Sequence, residues 1–179
     1  MLGFLPWMLF LFFSGHTMLS LKIAIVISLV ASITLGFGDL KRGFILQWGT
    51  CIFFIVCLVL VDLLNSRWMA MEMDLVSNLA LASIMWFTIL IGKPFALQYA
   101  RRGPPKEYWN DEKFIRGCRF ITMVWACLMT FAVLVSVLKR TTWVHLPNWV
   151  YFDITISNIV VGLTFTTIFK RKKRLQRQR

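Results

Sequence analysis

Apolar residues fall along this chain in blocks too long for the core helices of a soluble domain, and short charged or glycine-bearing breaks separate them. Five blocks predict membrane-spanning helices at Leu19–Phe37, Phe44–Leu64, Leu75–Ile91, Phe120–Leu138 and Trp149–Phe169. Each falls in the range of about 17–25 residues that carries a helix across a bilayer. The breaks suit helix ends. Gly38-Asp39-Leu40-Lys41-Arg42-Gly43 is a charged turn, Asn65-Ser66-Arg67 with Glu72 and Asp74 is a polar link, and Pro147-Asn148 is placed to start the last helix. A further block, Leu2–Phe13, is interrupted by Pro6 and ends at Ser14-Gly15-His16. It is too short to cross a hydrocarbon core of about 30 Å as a straight helix, and it lacks the basic start and small-residue cleavage site of a signal peptide. Two readings stand open: a retained re-entrant or interfacial segment, or the front half of a helix completed through Met18. The expected fold is all-α, a bundle of five full transmembrane helices plus this short segment. It forms one integral membrane domain over residues 1–179, with a loop at 92–119 and a basic tail at 170–179.

Composition agrees with the pattern. Of the 179 residues 58% are hydrophobic and 16% charged, against about a quarter charged in soluble domains, and mean hydropathy is +0.70. No polar stretch is long enough for a separate catalytic domain. The net charge of +12 carries information through its placement. Lys41 and Arg42, seven basic residues between Lys93 and Arg119, and seven from Lys170 onward make sixteen of the twenty Lys and Arg. Alternating spans put these sixteen on one side. Arg67, Lys139 and Arg140 fall on the other side, and Lys22 lies within a span. By the positive-inside rule the loop after the third span and the tail are cytoplasmic, and the protein is a multi-pass protein of an α-helical membrane with a cytoplasmic face. The charge therefore reports topology, and nucleic acid is not an expected partner. Trp48, Trp68, Trp109, Trp143 and Trp149 fall at span ends, where an amphipathic ring suits the headgroup layer, whereas Trp86 and Trp125 lie deeper and read as packing residues.

Candidate chemistry is sparse. Cys51, Cys57, Cys118 and Cys127 lie in or beside apolar runs with no metal-ligand spacing, so neither a disulfide framework nor a zinc site is expected. Lys22, Asp62 and Asp153 are ionisable residues inside apolar runs, near the outer ends of their helices. Such charges cost about 2.5–3.5 kcal/mol at mid-depth, which favours pairing of Lys22 with Asp62 or Asp153, or else a polar intramembrane site joined by His16 and His145. No spacing is diagnostic of a hydrolase or a metalloenzyme, so no catalytic, metal or cofactor residues are assigned. Small residues recur every fourth position at Ala24/Ser28/Ser32/Gly36, Cys118/Thr122/Ala126/Thr130 and Asn158/Gly162/Thr166. They suit close helix packing, within the bundle or against a partner, including a second copy of the chain. In the loop, Lys93, Arg101, Arg102, Lys106 and Trp109 interleave basic and aromatic side chains. Lys170, Arg171, Lys172, Lys173 and Arg174 open the tail. Both blocks read as contacts to anionic lipid headgroups or an acidic partner, or purely as topology signals.

The layout resembles the intracellular septation protein A family of bacterial inner-membrane proteins. The likeness rests on Phe4-Leu5-Pro6 in an apolar N-terminus, Gly92-Lys93-Pro94 closing the third full span, Trp125 early in the next, and Trp149 with Phe152 opening the last. The chain departs from that pattern in its basic, proline-rich Arg101–Lys106 and its arginine-rich tail. The resemblance implies a non-enzymatic accessory role in cell-envelope synthesis or septation, through contacts with other inner-membrane envelope or division proteins. The reading from a different class is a small transporter or lipid-handling protein built on Lys22, Asp62 and Asp153.

Overall fold

A computed structural model describes residues 2–15, 17–101, 109–140 and 148–177. Described residues form helices and turns, with no strand among them. A 3-10 turn at Leu2–Phe4 leads into α1 (Leu5–Phe13). Then follow α2 (Met18–Thr34), the short α3 (Phe37–Lys41), and α4 (Ile45–Cys57), which continues as a π-helical stretch, Leu58–Leu63. The chain goes on through α5 (Arg67–Met71), α6 (Met73–Leu90), α7 (Phe95–Ala100), α8 (Glu112–Leu138) and α9 (Asn148–Arg177).

Three helical runs are long and apolar enough to cross a membrane: Ile45–Leu63, Met73–Leu90 and Glu112–Leu138. At most 44% of the residues in their apolar windows are buried inside the protein. Most of the remainder, such as Ile52, Phe87, Phe131 and Leu134, points outward, as it does on a bundle whose surroundings are as apolar as its interior.

Two of the five expected spans have other helix bounds in the structure. In the first, α2 has 17 residues, and the chain turns at Leu35-Gly36, where the Gln47 side-chain amide occupies the space a Cβ at residue 36 would need. Gln47 Nε2 in turn donates to the Ser32 carbonyl at 2.7 Å. The last helix is longer than its apolar run, since α9 continues through the basic residues to Arg177.

Two turns at the same end of the bundle share one stop signal. Gly43 (φ +70°) and Gly92 (φ +74°) sit in the left-handed region, each just past a helix end. Gly92 N–H donates to the Ile89 carbonyl and Lys93 N–H to the Thr88 carbonyl, both at 3.0 Å. Gly43 and Phe44 repeat the pattern on Leu40 and Asp39. These are Schellman closures, and they explain Gly92-Lys93-Pro94 physically: glycine takes the left-handed turn and proline prevents the helix from resuming at once.

The small-residue stripes are consumed inside the bundle. Ala24, Ser28 and Ser32 are fully buried, and Cys118, Thr122 and Ala126 nearly so. Asn158 Nδ2 donates to the Leu128 carbonyl at 2.7 Å, and a Cβ at Gly162 would lie 2.9 Å from the Trp125 ring. These faces join α2 to α4 and α8 to α9, so they are not free for a partner helix. Across α6 and α8, Asn78 Nδ2 donates to Ser136 Oγ at 3.0 Å and Trp86 Nε1 to Thr130 Oγ1 at 3.1 Å. Each such interhelical bond contributes on the order of 0.6 kcal/mol. Trp86, expected in the core, remains 38% exposed beyond that bond, while Trp125 is 1% exposed.

Candidate functional site

The two ends of the bundle are chemically distinct, and the contacts define which segments meet at each. At one end the start of α4 is tied to α7, for Ile45 N–H donates to Gln98 Oε1 at 2.9 Å and the Phe44 and Tyr99 rings meet edge to face. Two buried threonines seat α7 on its neighbours. Thr88 Oγ1 accepts the Phe95 N–H and Thr122 Oγ1 the Ala96 N–H, each at 3.3 Å, satisfying amides that the first turn of a helix leaves orphaned. Lys41, Arg42, Lys93, Arg101 and Lys170 all belong to this end. Phe120 on α8 packs against Phe165 and Phe169 on α9 just below it.

A half-open apolar cleft of about 210 Å³ lies there between the N-terminal turn, α7, α8 and α9. Phe4 forms its inner wall, stacked on Trp125 with centroids 4.9 Å apart and edge-on to Phe95 at 5.8 Å. Trp125 Nε1 donates to Thr166 Oγ1 at 3.0 Å, and that hydroxyl donates to the Gly162 carbonyl at 2.8 Å. The Tyr99 hydroxyl lies where a Cβ on Gly3 would be, and burial pushes its phenol up to about 12. Lys170, one turn beyond Thr166, is the single charged residue among the described residues lining the cleft.

Two further voids lie beyond its inner wall. One of about 80 Å³ shares the Phe4 and Trp125 walls and reaches Asn78 and Asn158. The other, about 470 Å³ and more polar, shares Phe10, Leu11, Ser77 and Asn78 and opens at the far end beside Ser14, Asp74 and Lys139. Residues 2–13 therefore lead from Tyr99 towards the void that opens beside Asp74 and Lys139. Trp7 fixes them on the way by donating to Thr50 Oγ1 at 2.9 Å.

The far end is closed by paired charges. Lys139 meets Asp74 at 3.1 Å, and Arg140 pairs with Glu72. Lys22 Nζ donates to the Asp62 backbone carbonyl at 3.3 Å and to Asn65 Oδ1. Lys22 thus reaches Asp62 as expected, but at its carbonyl rather than its carboxylate. The π-helical stretch frees carbonyls at its C-terminal end, and an ammonium suits them. Asp62 Oδ2 is enclosed without a hydrogen-bond partner among the described residues.

Of the other expected site residues, Lys93 is exposed on its turn. Arg101 lies over the Trp109 ring at 5.6 Å and donates to the Trp109 carbonyl at 3.4 Å. Lys170 and Arg171 are exposed on α9. Arg102, Lys106, His16 and His145, and the side chains of Asp153, Lys172, Lys173 and Arg174, lie outside the described residues. All four cysteines are free thiols, and no group of three His, Cys, Asp or Glu gathers among the described residues.

Sequence reasoning missed the cleft and the two ion pairs. The pairs carry a usable signal, because Glu72 and Asp74 stand on the same side as Lys139 and Arg140, where few other charges occur. No protein-family model, curated protein or solved structure matches the chain.

Proposed function

We propose that this chain is a multi-pass inner-membrane accessory protein that acts through lipid and protein contacts and not by catalysis. The observation that carries this reading is the segregation of charge around an outward-facing apolar belt. Sixteen basic residues gather in the segments of one end, while at the other end Lys139 and Arg140 pair with Asp74 and Glu72. On this reading α2, α4, α6, α8 and α9 cross the bilayer, and the segment 2–13 forms a sixth, shorter crossing. The basic end, with α7 and the tail, lies on the cytoplasmic leaflet, as the positive-inside rule requires. The likeness in Phe4-Leu5-Pro6 and Gly92-Lys93-Pro94 supports a role beside envelope-building or division proteins. With the small-residue faces occupied, such partners would meet the basic end or the outer apolar face.

The test is single-cysteine labelling in a chain freed of its four native cysteines. A membrane-impermeant reagent added to intact cells is expected to reach Asn65→Cys and not Gly43→Cys. The opposite pattern would overturn the orientation. Gentle purification from native membranes should bring down stoichiometric envelope or division proteins that are lost when Arg101 and Arg102 are neutralised. A protein that purifies alone argues against the accessory role.

The string of three voids favours a second reading, a lipid-handling or small transport protein. It expects Asp153→Asn to abolish function while the protein accumulates normally.

A further inference from the structure

We propose that the cleft at the basic end holds one acyl chain of an anionic phospholipid, with the lipid phosphate at Lys170. The inference deepens the lipid-contact part of the function proposed above and rests on it for the leaflet that supplies the lipid.

Three observations define the occupant. The first is size and character. The cleft measures about 210 Å³ and is walled by Phe4, Phe95, Ile121, Trp125 and Phe169. An engineered apolar cavity of about 150 Å³ in another protein stays dry and takes up benzene, so a void of this kind favours hydrocarbon over water. The second is depth. The residues of α8 that line the cleft run from Phe114 to Trp125, about 16 Å at the helical rise. One leaflet of a hydrocarbon core is about 15 Å thick. A chain entering at Lys170 thus meets an apolar wall of the right length, whereas a small soluble solute would leave most of it uncovered.

The third is charge. Among the described residues no acidic side chain lines the cleft, and Lys170 stands at its mouth where the apolar run of α9 ends. Among the described residues Lys170 has no carboxylate partner, and Arg171 follows it, exposed. A Lys ammonium binds phosphate as a point charge, and a second cation nearby favours a lipid with net negative charge over a zwitterionic one.

The experiment is native mass spectrometry of the full chain, released from zwitterionic detergent, with phosphatidylglycerol or phosphatidylcholine of identical chains added. One phosphatidylglycerol molecule is expected to be retained in preference to phosphatidylcholine. Lys170→Gln should weaken that preference about fivefold, the loss of one cation's worth of headgroup attraction. Lys170 is exposed, so this variant does not test folding. Ala100→Phe, which places a ring in the cleft, should reduce retention of both lipids, with Lys170→Arg restoring wild-type behaviour as the control for charge. Equal retention of the two lipids by the wild type would overturn the proposal. So would phosphatidylglycerol bound in many copies without saturation, or Lys170→Gln binding as the wild type does. The assay is blind to orientation, so its failure removes the cleft's occupant alone. Failure of the cysteine labelling removes the orientation alone.

Discussion

The two ends of this bundle use charge in opposite ways. At the end bearing Asn65 and Asp74, cations meet partners on other helices: Lys139 with Asp74, Arg140 with Glu72, Lys22 with the carbonyl end of the π-helical stretch. At the end bearing α7, Lys41, Lys93, Lys170 and Arg171 stand exposed. The same residue types therefore do different physical work. Paired charges bind helix to helix, and their value lies in the fold. Exposed cations bind whatever surrounds the protein, and their value appears only when a membrane is present.

The sharpest way to break the contrast is Arg140→Glu. It sets a second carboxylate against Glu72, whose side chain is only 20% exposed. Losing the pair and adding like-charge repulsion should cost about 2–3 kcal/mol, between the values for exposed and buried pairs, read as a lowered unfolding midpoint in detergent. The double variant Glu72→Gln/Arg140→Gln should recover most of that loss.

The basic end has its own buried acid, and pH probes it. Tyr99 holds its proton more tightly folded than unfolded, since its pKa rises from 10.0 to about 12. The stability it contributes is therefore complete below pH 10 and is lost as pH rises towards 12, by roughly 2–3 kcal/mol. Subtracting the same pH curve for Tyr99→Phe isolates the effect; parallel curves would refute it.

Smaller effects sharpen the comparison. Lys139→Gln removes a pair whose Asp74 side is 71% exposed, so it should cost under about 1 kcal/mol and matter less still in high salt. Arg171→Gln at the other end should change stability by no more than about 0.5 kcal/mol. A large loss there would mean that the cations of the basic end also hold the fold.

Much of the fold was legible in the sequence, for reasons visible in particular residues. The bounds of α6 and the end of α8 fall within two residues of the apolar blocks, because charges or glycine close them sharply. Gly92-Lys93-Pro94 marked a helix stop that local geometry alone produces. The Gln47 amide beside Gly36 was not legible, because it comes from another helix. Nor was the contact of Lys22 with the Asp62 carbonyl, since a π-helical stretch shifts every later side chain relative to a regular helix. The cleft left no trace in any window, because Phe4, Tyr99, Trp125 and Lys170 come from four segments and each is an ordinary residue for its place. What was legible of the site was its charge; its shape was not.

The seating of Phe4 against Trp125 has a consequence for the order of biogenesis. A ribosome delivers Phe4 well before Trp125, which comes only after α6 and α7 have been made, and α9, which carries Thr166, follows later still. The segment that carries Phe4 cannot reach its final berth while it is being translated. It must wait, with Trp7 and Phe10 held by α4, until the second half of the chain arrives to enclose it. Its docking thus comes later in assembly than its place in the chain, and chains interrupted before α8 would leave it without a wall.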